Sequence, residues 1–391
     1  LKEVEAYALD WLNLLVRWAH VVVGIAWIGA SFYFIWLDNH LEPSRDPKLS
    51  GELWAIHGGG FYNARKYRLA PEQLPATLHW FKWEAYWTWI TGFALLVLMY
   101  YVNAELYLID PSVMPLSKLA AIGLGLGCLV LGLVVYEGLC RSPLGRNEVL
   151  LSGILFLLLA LAAWGLTRVF SGRGAFIHYG AILGTIMAAN VLHVIIPGQR
   201  RMVQAVREGR EPDARDGLMG KQRSVHNTYL TLPVLFAMLS NHHAAVFGHR
   251  WGWLALAALT LAGALIRVWF VMRHKGPAPA WVWFAGLLFI AFTVFLLSPE
   301  RPKETSKVEF SEVKRVIDTR CVACHAEKPS FQGIAEAPKG VKLDTAERIR
   351  AQAQQIHQQT VLGKAMPPGN LTAMTEEERM LLERWIRAGE R

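Results

Sequence analysis

Long apolar runs alternate with short polar segments along most of this 391-residue chain, and the pattern changes near residue 298. Eight runs are long enough to cross about 30 Å of hydrocarbon as helices. They are residues 12–37, 83–102, 117–137, 148–170, 175–197, 225–241, 251–271 and 280–298. The sixth is short, and Pro233 interrupts it in "TYLTLPVLFAML". A spanning helix tolerates such a proline where neighbours satisfy the freed carbonyl. Residues 299–306, "PERPKETS", read as a polar linker, and 307–391 has the composition of a soluble segment. The expected fold class is all-α: an eight-helix transmembrane bundle over 1–298, followed by a small all-helical domain over 307–391.

Charge refines this picture. Hydrophobic residues make up 53% of the chain and charged ones 18%, below the roughly 25% of ordinary soluble domains. The net charge of +9 is open to a nucleic-acid or acidic-partner reading, but its distribution favours a membrane cause. Arg45, Lys48, Arg65, Arg68, Arg141, Arg146, Arg200, Arg201, Arg215, Lys221, Arg273 and Lys275 all fall in one set of loops. The opposite set holds little beyond Lys2, Arg173 and Arg250. The excess of Lys and Arg on cytoplasmic loops places the first set inside. The N-terminus is then outside, and with eight spans the C-terminus is outside too, at a bacterial inner membrane and with no nucleic-acid partner. The opening "LKEVEAYALDWLN" is acidic and lacks a small-residue cleavage site, unlike a signal peptide.

The tail carries the most specific motif, "RCVACH" at 320–325. Cys-x-x-Cys-His is the signature of covalent c-type haem attachment: Cys321 and Cys324 bond the vinyl groups and His325 reaches the iron. Methionine suits the second axial position, and Met366 in the Pro/Gly loop "KAMPPGN" is the candidate; Met374 and Met380 are poorer ones. A zinc or redox Cys-x-x-Cys would want a second cysteine pair or a thioredoxin-like strand pattern, and neither is present. A helix near 308–320 carries Val313, Val316 and Ile317. A second helix opens on a Thr375-x-x-Glu378 capping box, with Leu381, Leu382, Trp385 and Ile386 on one face and Gly389 as its stop. The 307–391 segment therefore reads as a small cytochrome c. Haem c is attached on the outer side of a bacterial membrane, which agrees with the side deduced from loop charge.

An outward cytochrome needs an electron source in the bundle. Ionisable groups inside spans are costly and are functional candidates by default. Arg17 and His20 share a face of the first span. His178, His242 and His243 fall at outer ends; His57, His79, His193 and His226 fall at inner ends. Singly, each is simplest as a hydrogen-bonded structural histidine. As groups they suit a b-type haem (His20 with an outer histidine, or with His193) or a base for a substrate. His79 and Glu84 lie at the inner mouth of the second span among Trp80, Trp83, Trp87 and Trp89. These tryptophans form either an interfacial belt or a stacking surface for a flat heterocycle. "IHGGGFYNARKY", 56–67, is a glycine-rich loop without a nucleotide fingerprint.

Three stretches carry a resemblance: "RWAHVVVGIAWIGASFYFIWLDNHL" (17–41), "LHWFKWEAYWTWITG" (78–92) and "HNTYLTLPVLFAMLSNHH" (226–243). With the domain order, they make nearly the whole chain resemble the bacterial membrane-bound urate hydroxylases, which join a multi-span urate oxidase domain to a C-terminal cytochrome c. The resemblance implies that urate and water become 5-hydroxyisourate. The electrons then pass through haem c to a soluble or membrane cytochrome c or a terminal oxidase, and no hydrogen peroxide forms. His79, Glu84 or His226 would serve as the base that activates water, and Arg17 or a loop arginine would hold the urate anion. A quinol-to-cytochrome c oxidoreductase is the alternative on the same architecture.

Overall fold

The structure is a computed structural model that describes residues 2–298, 308–331 and 334–389; the expected linker 299–306 lies outside them. Each expected apolar run overlaps a long helix, to within one or two residues at its ends: α1 Lys2–Asn39, α2 Trp83–Leu96 with a π-helical continuation Val97–Tyr101, α3 Lys118–Arg141, α4 Glu148–Val169, α5 Gly172–Arg207, α6 Ala214–Leu239, α7 Gly252–Lys275 and α8 Ala280–Leu296. Polar first turns carry several beyond their apolar runs, and side chains cap the starts. Ser117, Asn147 and Ser171 accept from the backbone N–H groups of Ala120, Leu150 and Gly174, satisfying donors a helix start leaves free. Five of the long helices, α1, α3, α4, α5 and α7, are long and apolar enough to cross a bilayer; α8 is a shorter apolar helix. The π segment breaks α2, and the polar start of α6 lowers its hydropathy. Pro233 sits inside α6, and Gly263 lets α7 pack directly against it: a Cβ there would stand 3.2 Å from the Pro233 ring.

The fold is mostly helical rather than all-α. Residues 56–67, read as a glycine-rich loop, belong to a hairpin of β1 Leu49–His57 and β2 Gly60–Tyr67, paired antiparallel with His57 opposite Gly60 and Trp54 opposite Asn63. Gly58 and Gly59 both have positive φ, +58° and +81°, the requirement of a two-residue hairpin turn. Those glycines are thus explained by the turn itself. The hairpin marks one end of the bundle, beside the end of α1, where Asp38 pairs with both Lys66 and Lys221.

The opposite end carries the C-terminal segment, which has its own apolar cluster of Val313, Ile317, Ile349, Leu382 and Trp385. This cluster is built from α9 Phe310–Arg320, the short helices Ala346–Ala351 and Ala353–Ile356, and α10 Glu376–Arg387. Thr375 and Glu378 form the expected capping box, and Gly389 follows α10 at φ +86°. Arg379 is buried and donates to the carbonyls of Thr360 and Met366, so it pins the 360–366 loop. Two bundle loops meet the segment: the short helix Ala244–Phe247 touches His357–Leu362, and Ala104–Tyr107 touches Pro368–Asn370. Backbones approach closely here, because a Cβ on Gly248 would collide with the Gly363 carbonyl.

A Gly248→Leu chain should therefore lose this docking, since overpacking of this kind costs about 1–3 kcal/mol. Hydrogen exchange by mass spectrometry should show residues 357–370 exchanging roughly tenfold faster or more, with 313–317 unchanged. Unaltered protection at 357–370 would contradict the contact.

Candidate functional site

At the hairpin end, α3, α4, α5 and α6 bring a set of polar side chains into the apolar interior. Asn190 opens a second π-helical turn, Asn190–Ile195, within α5; such widened turns recur at functional sites. Its amide donates to the Tyr136 hydroxyl (2.9 Å) and to the Asn227 Oδ1 (2.8 Å). Asn227 in turn donates to the Met187 carbonyl at 3.0 Å. The Tyr136 hydroxyl lies 2.8 Å from His226 Nδ1, and His226 Nε2 lies 3.0 Å from a Glu148 carboxylate oxygen. One proton arrangement satisfies every group. Tyr136 donates to a bare Nδ1, and the protonated Nε2 donates to Glu148, which also accepts from Gln222 at 2.6 Å. Carboxylate contact at one ring nitrogen fixes the tautomer and raises the basicity of the other. Arg223, only 2% exposed, pairs with Glu137 at 2.9 Å and lies over the Tyr136 ring at 5.1 Å. The chain Tyr136–His226–Glu148 leads from the buried interior to a carboxylate that is half exposed, which makes it a ready proton path.

The three expected bases do not hydrogen-bond one another among the described residues. His226 is buried in this network. His79 is exposed and meets the edge of Phe81 at 4.6 Å. Glu84 is half-buried in the first turn of α2. Of the tryptophans near them, Trp83 and Trp87 point outward, as an interfacial belt would, and Trp80 packs inward beside Ala85, Val191 and Ile196. Arg17 hydrogen-bonds Asn13 at 3.0 Å and contacts the Met99 sulfur at 3.1 Å, far along α1 from the hairpin. Tyr136, Glu148, Asn190 and Arg223 were not foreseen. Asn190 did carry a signal, as an amide inside the apolar run "MAANVLHV". Glu148 carried none, because a carboxylate at a helix start is commonplace.

The remaining histidines separate. His20 Nδ1 lies 3.1 Å from the Thr88 carbonyl and 3.0 Å from the Thr91 hydroxyl on α2. His178, fully buried toward the tail end, donates from Nδ1 to the Gly174 carbonyl (2.8 Å) and accepts at Nε2 from Tyr101 (3.2 Å), stacked on Phe170. Gly125 makes room for that ring, since a Cβ would stand 2.6 Å from Nε2. His193 lines a groove of about 270 Å³ with Arg141, Arg201 and Asp216. His242 and His243 are exposed at the tail end.

In the tail, the turn after α9 carries Cys321, Cys324 and His325; the Cys324 and His325 amides both donate to the Cys321 carbonyl. The two thiols are free, and burial pushes Cys321 up to about 12 and raises Cys324. His325 Nδ1 donates to the Val341 carbonyl at 2.9 Å, which leaves Nε2 available to a ligand. Of the three methionines, Met374 is buried in the apolar cluster and Met380 is exposed, while Met366 is half-buried in the loop held by Arg379. This donor set fits a covalently attached haem: two free thiols for its vinyl groups, an oriented imidazole, and a thioether on a pinned loop.

Comparison with known proteins adds one finding. A family model described as "Urate oxidase N-terminal" matches residues 6–298. No curated protein and no solved structure matches the chain. The matched stretch covers the whole helical bundle with its hairpin, so the chain belongs to the urate oxidase N-terminal family.

Proposed function

We propose that this chain is a membrane-bound urate hydroxylase. All eight long helices span the bacterial inner membrane, and the N-terminus and a C-terminal cytochrome c lie on the periplasmic side. The family match over residues 6–298 carries the reading; the free thiols, oriented His325 and pinned Met366 support the cytochrome part. The reaction is urate plus water to 5-hydroxyisourate, two electrons and two protons. Urate loses both electrons, its C5 becomes electrophilic, and water adds there to form the new C–O bond. His226 takes a proton at Nδ1 through the Tyr136 hydroxyl, while Glu148 stabilises the charged imidazole and offers a way out to solvent. The haem, when bound, supplies one-electron transfer, and an external cytochrome c or terminal oxidase is the final acceptor.

The network and the tail sit at opposite ends of helices that would cross about 30 Å of hydrocarbon. A non-covalent haem b in the bundle is therefore part of the proposal, with His20 as its ligand candidate. A reduced spectrum with c-type bands alone would remove that part.

Anaerobic mixing of the purified chain with urate should reduce the haem c band without added quinol and without peroxide. Reduction by quinol but never by urate would overturn the assignment. Glu148→Gln should slow that reduction by roughly 10–100-fold, as loss of a histidine's supporting carboxylate does; an unchanged rate would remove His226 and Glu148 from the mechanism. Met366→Ala should alter the haem spectrum while attachment survives, and replacing Cys321 and Cys324 by serine should abolish attachment, read by haem staining of denaturing gels.

A further inference from the structure

Among the described residues, one buried charge in the bundle has no ion-pair partner. Arg267 lies on α7, inside the apolar run "ALIRVWF", and is 6% exposed. Its Nε and one terminal nitrogen are buried without a hydrogen-bond acceptor, and among the described residues no carboxylate pairs with it. Its guanidinium carbon stands 3.8 Å from the centre of the Phe32 ring on α1. That contact suits a cation but accepts none of the N–H bonds. A buried guanidinium left this way is costly, unlike Arg223, which is paired within the same bundle.

Its surroundings are aromatic and imidazole side chains contributed by two elements. Phe32 and Trp36 are four apart on α1 and share one face, and His40 follows just past its end; Arg267 and His274 are seven apart on α7 and share another. The two rows face each other. Phe32 meets Arg267, and His40 meets His274 with ring centres 5.0 Å apart, while Trp36 stacks on His40 at 4.7 Å. Eight residues of helix separate these two rungs, about 12 Å. His274 Nδ1 is also buried without a hydrogen-bond partner, as is Trp269 Nε1 on the same helix. The α6 helix, which carries His226, packs against both α7 and α1, so the Arg267 cluster and the His226 network share that helix.

We infer that this cluster is the binding site for a planar purine anion, with Arg267 forking onto its ionised edge and the aromatic row of Phe32 and Trp36 beside it. The inference rests on the urate hydroxylase reading and names the site where that substrate is held. A guanidinium presents two parallel donors in the plane of a bidentate acceptor, and urate at neutral pH offers an anionic N–C–O edge of that shape. The position also puts the purine on helices that pack against α6, which carries His226.

Calorimetric binding to the full, haem-loaded chain tests this with three probes: urate, a neutral methylated xanthine and inorganic phosphate. Arg267→Gln should weaken urate roughly 10–100-fold, as loss of charge-assisted hydrogen bonds does, and leave the neutral xanthine within about twofold. Arg267→Lys, which keeps the charge but not the fork, should fall between. It also serves as the folding control, together with an unchanged haem spectrum. Urate binding to Arg267→Gln equal to that of the parent would overturn the inference. So would displacement of urate by phosphate at equal concentration, which would mark a general anion or lipid-headgroup site. If the parent chain binds urate through Arg267 but its haem is not reduced, the hydroxylase reading fails and the site stands.

Discussion

An apolar helix bundle offers a buried polar side chain no water, so every such group must find its partner within the protein. That constraint explains the interior of this chain better than any single apolar contact. Tyr136, Asn190 and Asn227 come from three helices, α3, α5 and α6, and each completes the hydrogen bonding of another. An unpaired buried donor or acceptor costs about 1–3 kcal/mol, so removing one member exposes the rest. The widened turn at Asn190–Ile195 belongs to this arrangement, because Asn190 at its start supplies both of the amide's hydrogen bonds. With the helices held this way, His226 is set between a hydroxyl and a carboxylate with one tautomer favoured.

Against that background of satisfied groups, the exceptions carry information. Arg223 and Arg267 are both buried arginines of the same bundle. One has Glu137 and the face of Tyr136; the other, among the described residues, has the face of Phe32 and no carboxylate. The proposed chemistry follows the same division: a completed network moves protons, and an incomplete one holds the anion. At the far end, Arg379 completes another set of carbonyls and so fixes the Met366 loop, close to the face that packs on the Ala104–Tyr107 and Ala244–Phe247 helices.

Much of the helical layout was legible in the sequence, because apolar runs of spanning length leave few alternatives and Gly, Pro, Ser and Asn mark their ends. The hairpin was not. Its strands put Trp54, Ile56 and Phe61 on exposed surface, so no alternation between a buried and a solvated face announced them, and the paired glycines read as a loop. His226 was legible as a polar residue at the start of a span, but its partner was not: Glu148 lies 78 residues away, and only packing brings α4 beside α6. Glu84 is nearer His79 in sequence, yet His79 precedes the start of α2 at Trp83 and meets Phe81, and the two share no hydrogen bond. Arg267 carried the same mark that singled out His20, a charge-bearing side chain within an apolar run, and its meaning depends on what it lacks, which only the folded arrangement reveals.

The central claim is directional: urate is oxidised from the hairpin end, and electrons leave from the tail end. The most direct measurement uses vesicles in which the chain is inserted in one orientation, with a membrane-impermeant electron acceptor facing the tail. Urate supplied only at the hairpin side should reduce that acceptor, while urate confined to the tail side should not. Acceptor reduction that requires urate and acceptor on the same side would contradict the arrangement proposed here.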